Sequence, residues 1–487
     1  MQVGLVLAAA ALGAARPAAA QVPSRPPAPG DTVPIVPAGA AADTLRDSVL
    51  ARLQRAEEAI ALLRQQLAAQ AASATQTSSR ARFDLTGRVL LNGFSNSRRV
   101  NNVDVPQFVA APDTGTGTLG GALRQTTIGA TVFVPRVFGA AFTGDLNLDF
   151  YGGQQASPGG RHFPNPRLRT ARGILRWPNA EVLVGQDGPL VAGVEPVSVA
   201  AVGVAEFGTA GNLWIWLPQV RVTLEAPLTR RGPRVGNGAR ASGDVGEDGA
   251  LRLGVQGAVL APNNGDAVGL FDTQGDAAER SRRPFLEGRV RLRWGEQERA
   301  GEVGLGYHRG WLAETTGPRG FPLLKSEATV ANVLLPIGGV GPVRFDLRGE
   351  AFRGQALRGL GGGGIAQSFL IPGANAPATE TTPAVLRASV PLRTRGGWAQ
   401  LNLRYTDLVT LGAGCGVDAP RGPYTAATDP LTNAAAPRRR NNVCEGHAIL
   451  RPEGPVLVGL TYRRTRTRYA AGPLVNDHVN LALGYQF

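Results

Sequence analysis

The sequence predicts an all-β chain: a transmembrane antiparallel β-barrel of about 16 strands, with a short N-terminal periplasmic coiled-coil helix before it. Three observations predict it. Segments of alternating apolar and polar residues recur from Phe83 to the end of the chain. The connections between them alternate between tight and long. Residues 479–487 then keep every odd position apolar or aromatic.

Composition excludes the main rivals. The 487 residues carry 51 Lys+Arg against 37 Asp+Glu, a net charge of +14, with 65 Gly and 36 Pro. That length suits two or three ordinary domains or one large barrel. No apolar run of about 18 residues occurs beyond the N-terminus, which excludes a polytopic helical membrane protein. Glycine shows no three-residue period, and a hydrophobic content of 43% is too high for a wholly disordered chain. Lys325 is the only lysine, so the basic excess is arginine, which a GC-rich genome also produces. A nucleic-acid partner would explain the charge but not the period-two segments, and none is expected.

Residues 1–20 read as a signal peptide: an apolar stretch from Val3 to Ala15, then small residues before Gln21, although no Lys or Arg precedes the apolar core. Residues 21–42 are a Pro/Ala-rich linker. Within 43–72, Val49, Leu53, Ala56, Ile60, Leu63 and Leu67 recur at spacings of four and three, the seam of a coiled coil. Roughly three heptads are marginal alone, so the helix implies association. Residues 73–82 form a second linker, and 83–487 the barrel.

The barrel strands are expected at approximately 83–93, 122–134, 139–151, 166–177, 180–187, 212–228, 250–262, 284–294, 299–310, 326–335, 341–353, 383–392, 396–409, 445–451, 456–468 and 475–487. In 142–150, for example, Phe142, Leu146, Leu148 and Phe150 alternate with Thr143, Asp145, Asn147 and Asp149. Successive side chains point to opposite faces, so one face suits lipid and the other, rich in charge, a wet interior. Connections such as 135–138, 178–179, 393–395 and 452–455 are tight, whereas 94–121, 188–211, 354–382 and 410–444 are long. The 229–249 connection is long on the otherwise short side.

A barrel this wide leaves an aqueous lumen. Inward arginines at Arg88, Arg169, Arg221, Arg289, Arg291, Arg293, Arg344, Arg348, Arg387, Arg404 and Arg463 outnumber inward carboxylates at Asp84, Asp145, Asp149, Glu225, Glu287, Asp346 and Glu350. An uneven charge in a narrow tube concentrates counter-ions, which predicts a mild preference for anions. The 188–211 connection is largely apolar, with Glu195 and Glu206 its only charges. Such a loop fits against a barrel wall better than in water. There Glu195 and Glu206 would face Arg167, Arg169, Arg172 or Arg221 across a constriction. A loop capping a subunit interface is the alternative.

These features together resemble the DcaP-like trimeric porins, which lie near the phosphate-selective porins O and P. The likeness is carried by the heptads at 49–67, the segment 145–150, Pro166-Arg167-Leu168-Arg169, Leu183-Val184-Gly185-Gln186 and the terminal Phe487. Tyr485 and Phe487 are similar to the assembly signal of bacterial outer-membrane barrels. The resemblance implies a homotrimer in the outer membrane, inserted by the barrel-assembly machinery, that passes small hydrophilic solutes, anionic or neutral. A lysine-lined phosphate ladder is absent, which counts against phosphate specificity.

Cys415 and Cys444, in or beside the seventh long loop of an exported chain, read as one disulfide. The histidines lack metal-ligand spacing, and no nucleophile elbow or phosphate loop occurs, so no enzyme, cofactor or metal is expected. The rival reading is an envelope tether or adhesin whose barrel is an anchor and whose coiled coil or loops bind partners.

Overall fold

The structure, a computed structural model, describes residues 57–58, 81–112, 115–153, 162–228, 251–265, 275–295, 300–313, 323–361, 368–370, 389–421 and 438–487. The signal segment, both linkers up to residue 80, the heptad seam, Arg387 and the whole 229–249 connection lie outside them. Glu57 and Glu58 are helical and exposed. Residues 74–487 form one compact unit.

That unit is a closed antiparallel barrel. Its staves are β1 (Arg82–Asn96), β2 in two pieces (Thr118–Ala122 and Thr127–Val137), β3 (Ala140–Asp149), β4 (Arg167–Arg176), β5 (Ala180–Asp187), β6 (Leu217–Pro227), β7 (Arg252–Leu260) and β8 (Phe285–Trp294). They continue as β9 (Gly301–Leu312), β10 (Leu324–Val340), β11 (Val343–Gln355), β12 (Arg393–Tyr405), β13 (Val409–Arg421), β14 (Arg440–Leu450), β15 (Val456–Tyr469) and β16 (Gly472–Gln486). The sheet has 17 strand pieces, and the two pieces of β2 share one position against β1, so sixteen staves close the barrel. Closure is made by β16 on β1, from Arg88↔Gln486 to Asn96↔His478. The terminal residue adds two bonds, Phe487 N–H to Gly87 O at 3.0 Å and Gly87 N–H to Phe487 O at 2.9 Å. A closed sheet has no edge, which lets a β-structure sit in lipid without orphaned backbone groups.

The outer face is apolar as the period-two pattern requires. Leu85, Leu91, Val220, Val222, Leu305, Leu401, Leu481 and Leu483 are exposed large hydrophobics on alternating positions of their strands. Tight turns join the staves at one end. Phe138 and Gly139 both have positive φ, 52° and 77°, the backbone of a two-residue turn whose twist matches the strands it joins.

Two expectations fail together. Residues 383–392 are not a stave; Ser389–Pro391 pairs with Ser368–Leu370 in a separate two-stranded sheet. The missing stave is β13, inside the span read as a loop. Its Gly412, Gly414 and Gly416 alternate with Ala413, Cys415 and Val417, so its two faces differ little in hydropathy and the period was faint. The tight turn here is 406–408, not 393–395. The two errors cancel, leaving both the number of staves and the phase of the turns intact. Cys415 and Cys444 consequently lie within β13 and β14, directly opposite in register, and form the disulfide with Cα atoms 4.0 Å apart. The expected strand at 212–228 begins at Leu217 because 212–216 belongs to the preceding loop.

Candidate functional site

Residues 188–216, between β5 and β6, fold into the barrel and are held by wall side chains around the lumen. Asn92 of β1 donates to Val199 O at 3.2 Å, and Asn332 of β10 to Val191 O at 2.7 Å. Gln400 of β12 pairs with both backbone groups of Val197, at 2.7 and 2.9 Å. Gln125, between the pieces of β2, accepts from Val202 N and Gly203 N at 2.7 and 2.8 Å. Two buried carboxylates serve as acceptors: Glu287 for Val191 N–H at 3.3 Å and Glu350 for Leu213 N–H at 3.0 Å. A loop brought out of water must find partners for its backbone, and the walls supply them.

Apolar contacts complete the seat. Val199 packs with Leu90, Ile449, Leu457 and Ala482, and Phe207 stacks on Trp398 with ring centroids 5.8 Å apart. Glycines make room: a Cβ on Gly416 would stand 2.1 Å from Ala210 O, and one on Gly459 2.3 Å from Val199. Leu90 and Phe94 are therefore buried on the inward face of β1, the face read from the sequence as charged and wet. Residues around 104–109 also pack inside, with Val105, Phe108 and Val109 fully buried. Asp104 there accepts from Arg124 Nε at 2.9 Å and from the Tyr151 hydroxyl at 2.9 Å. Burial and the Asp104 carboxylate push the Tyr151 phenol well above its ordinary range.

Between the inward loop and the wall of β1 to β4 lies a cavity of about 320 Å³. Arg88, Asn147 and Arg169 line it from the wall, and Glu195, Ser198 and Trp216 from the loop. The β3–β4 register shifts at Asn147/Leu148, whose partners are Thr170 and Leu168, so Arg169 is the extra residue of a bulge. A bulge re-aims a side chain, and here it points Arg169 inward beside Arg167. Arg169 lies 4.8 Å from the Trp216 ring centroid and 3.6 Å from Asp149, which also binds Arg167 at 2.6 Å. Arg88 has no carboxylate within ion-pair distance among the described residues.

The remaining arginines are grouped around carboxylates. Glu225 and Glu302 between them hold Arg252, Arg289, Arg291 and Arg293, four guanidinium groups on two carboxylates. Asp346 serves Arg348 at 2.7 Å and Arg404 at 3.7 Å. Arg221 pairs with Asp187 at 3.3 Å, and Arg172 spans Asp145 and Asp187 at 2.8 and 3.1 Å. Arg344 is exposed near the turn end of β11.

Of the two loop carboxylates, Glu195 lines the same cavity as Arg169, and Arg348 donates to its backbone carbonyl at 3.3 Å. Glu206 does not face Arg167, Arg169, Arg172 or Arg221. It pairs with Arg463 of β15 at 2.5 Å, with both side chains 1% exposed, and accepts from Ser198 Oγ at 3.1 Å. The loop runs far enough across the lumen to reach the opposite wall, so its second carboxylate is an anchor.

Sequence reasoning missed the anchoring set, Asn92, Gln125, Asn332 and Gln400, because inward polar residues look alike whether they meet water or a loop. The available signal was inward glycine, as at Gly416 and Gly459. Ser326, His308 and Glu287 form a hydrogen-bonded line at 3.2 and 2.9 Å, but Ser326 Oγ donates to Ala356 O at 2.9 Å and all three are buried. A nucleophile needs access and a free proton path to its base, and this serine has neither.

No family model matches the chain, and no curated protein matches it. Among solved structures, the outer-membrane channel DcaP of Acinetobacter baumannii aligns with a TM-score of 0.53 and 15% identity, over 85% of this chain and 99% of that chain. An anion-selective porin from Comamonas acidovorans aligns with a TM-score of 0.46 and 10% identity, over 84% of this chain and all of that one, 100%. The Pseudomonas putida OprB structure aligns with a TM-score of 0.45 and 10% identity, over 83% and 94%. The chain thus shares its overall fold with the Acinetobacter channel.

Proposed function

We propose that this chain is a bacterial outer-membrane porin, a water-filled channel for passive diffusion of small hydrophilic solutes with a mild preference for anions. The observation that carries the reading is the cavity between the inward loop and the wall, where Arg88 and Arg169 face Glu195 beside apolar loop residues. Opposed charges across a narrow, low-dielectric opening set a transverse field, and the excess of guanidinium favours anions. Arginine excess continues at Glu225 and Glu302 and at Asp346, so anions meet positive potential along the lumen. Diffusion rather than catalysis fits the enclosed Ser326–His308–Glu287 line.

The same reading takes the chain as a homotrimer, exported by residues 1–20, with the 43–72 coiled coil in the periplasm and Tyr485 and Phe487 read by the assembly machinery. The heptad spacing and the terminal aromatic pair, with ring centroids 6.1 Å apart on the outer face, support it. The test is single-channel conductance in planar bilayers under a salt gradient. Openings in groups of three with a reversal potential favouring chloride are expected. Cation preference would overturn the charge argument, and a folded barrel closed at every voltage would overturn the channel.

A further inference from the structure

The outer surface of β11 to β15 departs from the lipid-facing pattern near one end. On β12 the outward positions run Tyr405, Leu403, Leu401, Ala399 and Gly397, then change abruptly to Arg395 and Arg393. At roughly 3.3 Å per residue, Tyr405 to Arg395 covers about 33 Å of strand, which at a tilt of about 35–45° is about 23–27 Å of height, close to that of a lipid-facing band. The arginines therefore start where hydrocarbon should give way to headgroups. They lie at the end where the connections are long, 356–392 and 422–439, and away from the tight turn at 406–408.

Neighbouring staves repeat the feature in register. Arg353 stands opposite Arg395, Arg393 opposite Arg421, and Arg440 opposite Arg468. All six are exposed. Like charges directly across a strand pair destabilise it. Among the described residues, Arg353, Arg393, Arg395 and Arg421 have no carboxylate within ion-pair distance. Two outward acids on flanking staves are engaged elsewhere: Glu327 with Arg309 at 2.7 Å, and Asp477 with the Tyr462 hydroxyl at 2.7 Å. Below the arginines, Gly397, Ala399, Cys415, Val417 and Ala419 floor a groove of about 910 Å³ whose rim is Arg353, Arg393, Arg395, Arg421 and Arg440. Small outward side chains leave a furrow in a surface that elsewhere carries large apolar residues such as leucine, valine and tyrosine.

We propose that this groove binds a phosphorylated, multiply acylated glycolipid of the outer leaflet, its phosphates held by the arginine rim and an acyl chain laid along the small-residue floor. The proposal rests on the outer-membrane placement above. Guanidinium groups suit phosphate because they bind it bidentately, and a multiply phosphorylated headgroup neutralises several at once. A furrow ending in unopposed positive charge fits a lipid that is apolar below and anionic above. A second copy of this chain would have to bring carboxylates to this rim.

The test uses the full chain purified in detergent, with native mass spectrometry and a lipid-binding titration. The probes are a bis-phosphorylated hexa-acyl glycolipid, the same lipid stripped of phosphate, phosphatidylglycerol and phosphatidylethanolamine. The native chain should retain the bis-phosphorylated lipid, and the R353Q/R393Q/R395Q/R421Q variant should bind it at least about tenfold more weakly. Equal retention by native and variant chains, or binding that survives removal of the phosphates, would overturn the proposal. Phosphatidylglycerol binding as tight as the glycolipid would overturn the glycolipid assignment. Should the fourfold variant fail to fold, Ala399→Trp fills the floor from the lipid side without touching charge, and should also weaken retention. Conductance is measured on the same samples: loss of conductance with lipid retained would fail the channel reading and leave this site standing.

Discussion

Glu206 and Arg463 meet at 2.5 Å with each side chain 1% exposed, and so fasten the inward loop to the wall on the far side of the lumen it crosses. Glu206 Oε1 is buried without a hydrogen-bond partner. Burial outweighs the attraction of Arg463, and the nearby Glu445 adds to it, so the Glu206 carboxyl titrates above the usual glutamate range. A folded-state value above the unfolded one contributes stability that is fully present below the unfolded value, about 4.3, and lost as pH rises through the folded value. Glu206→Gln removes that titration. The Tm of Glu206→Gln minus that of the native chain should therefore rise as pH increases above the unfolded glutamate value, and a difference that stays flat as pH rises would count against the buried-carboxyl argument.

The loop's seat depends on glycines that let it approach the wall. Gly416→Ala places a Cβ 2.1 Å from Ala210 O, a backbone atom that cannot swing aside. The expected cost is about 1–3 kcal/mol, the usual range for overpacking, with a larger and noisier single-channel conductance as the loop lifts. Unchanged conductance together with an unchanged Tm would show that the loop adjusts at no cost.

Arg88 and Arg169 are the guanidinium groups that line the cavity. One unit charge at about 4 Å in water is worth about 1 kcal/mol, or roughly a fivefold change in the relative permeability of chloride and potassium. Arg88→Glu with Arg169→Glu should move the reversal potential towards cations by at least that factor. The same double substitution with no shift would place the selectivity elsewhere in the lumen.

The Cys415–Cys444 bond closes a loop with a sequence separation of 29. On the loop-entropy account, a crosslink of that length stabilises by about 3–4 kcal/mol. Cys415→Ser with Cys444→Ser should keep the barrel and its conductance, because both residues face outward, while lowering the sample temperature at which the folded band gives way to the unfolded one on a denaturing gel. A change in conductance would mean that the crosslink also shapes the lumen.

Legibility differed between the two faces of each strand. The outward face answers to lipid, which imposes one rule along its whole height, so Leu481, Leu483 and Tyr485 could be read directly. The inward face answers to whatever stands next to it. Leu90 and Phe94 are apolar and inward because a loop covers them, and no local period reports a loop that arrives from a hundred residues away. Glu206 and Arg463 are separated by 257 positions, so only the folded chain reveals their pairing. Where the pattern itself was weak, as in the glycine-rich β13, even the strand went unseen. The arginine excess was visible, but its division into an inner set around Glu225, Glu302 and Asp346 and an outer set on β11 to β15 required the register.

The glycine-backed seat of the inward loop has a consequence for how such a chain can diverge. Because alternate residues of each stave belong to different environments, the membrane anchor and the filter are written in interleaved positions of the same strands. Substitutions in one series need not disturb the other. A lineage could retune what passes by altering a single 29-residue insert, residues 188–216, and the few side chains that grip it, while the bilayer continues to see the same molecule.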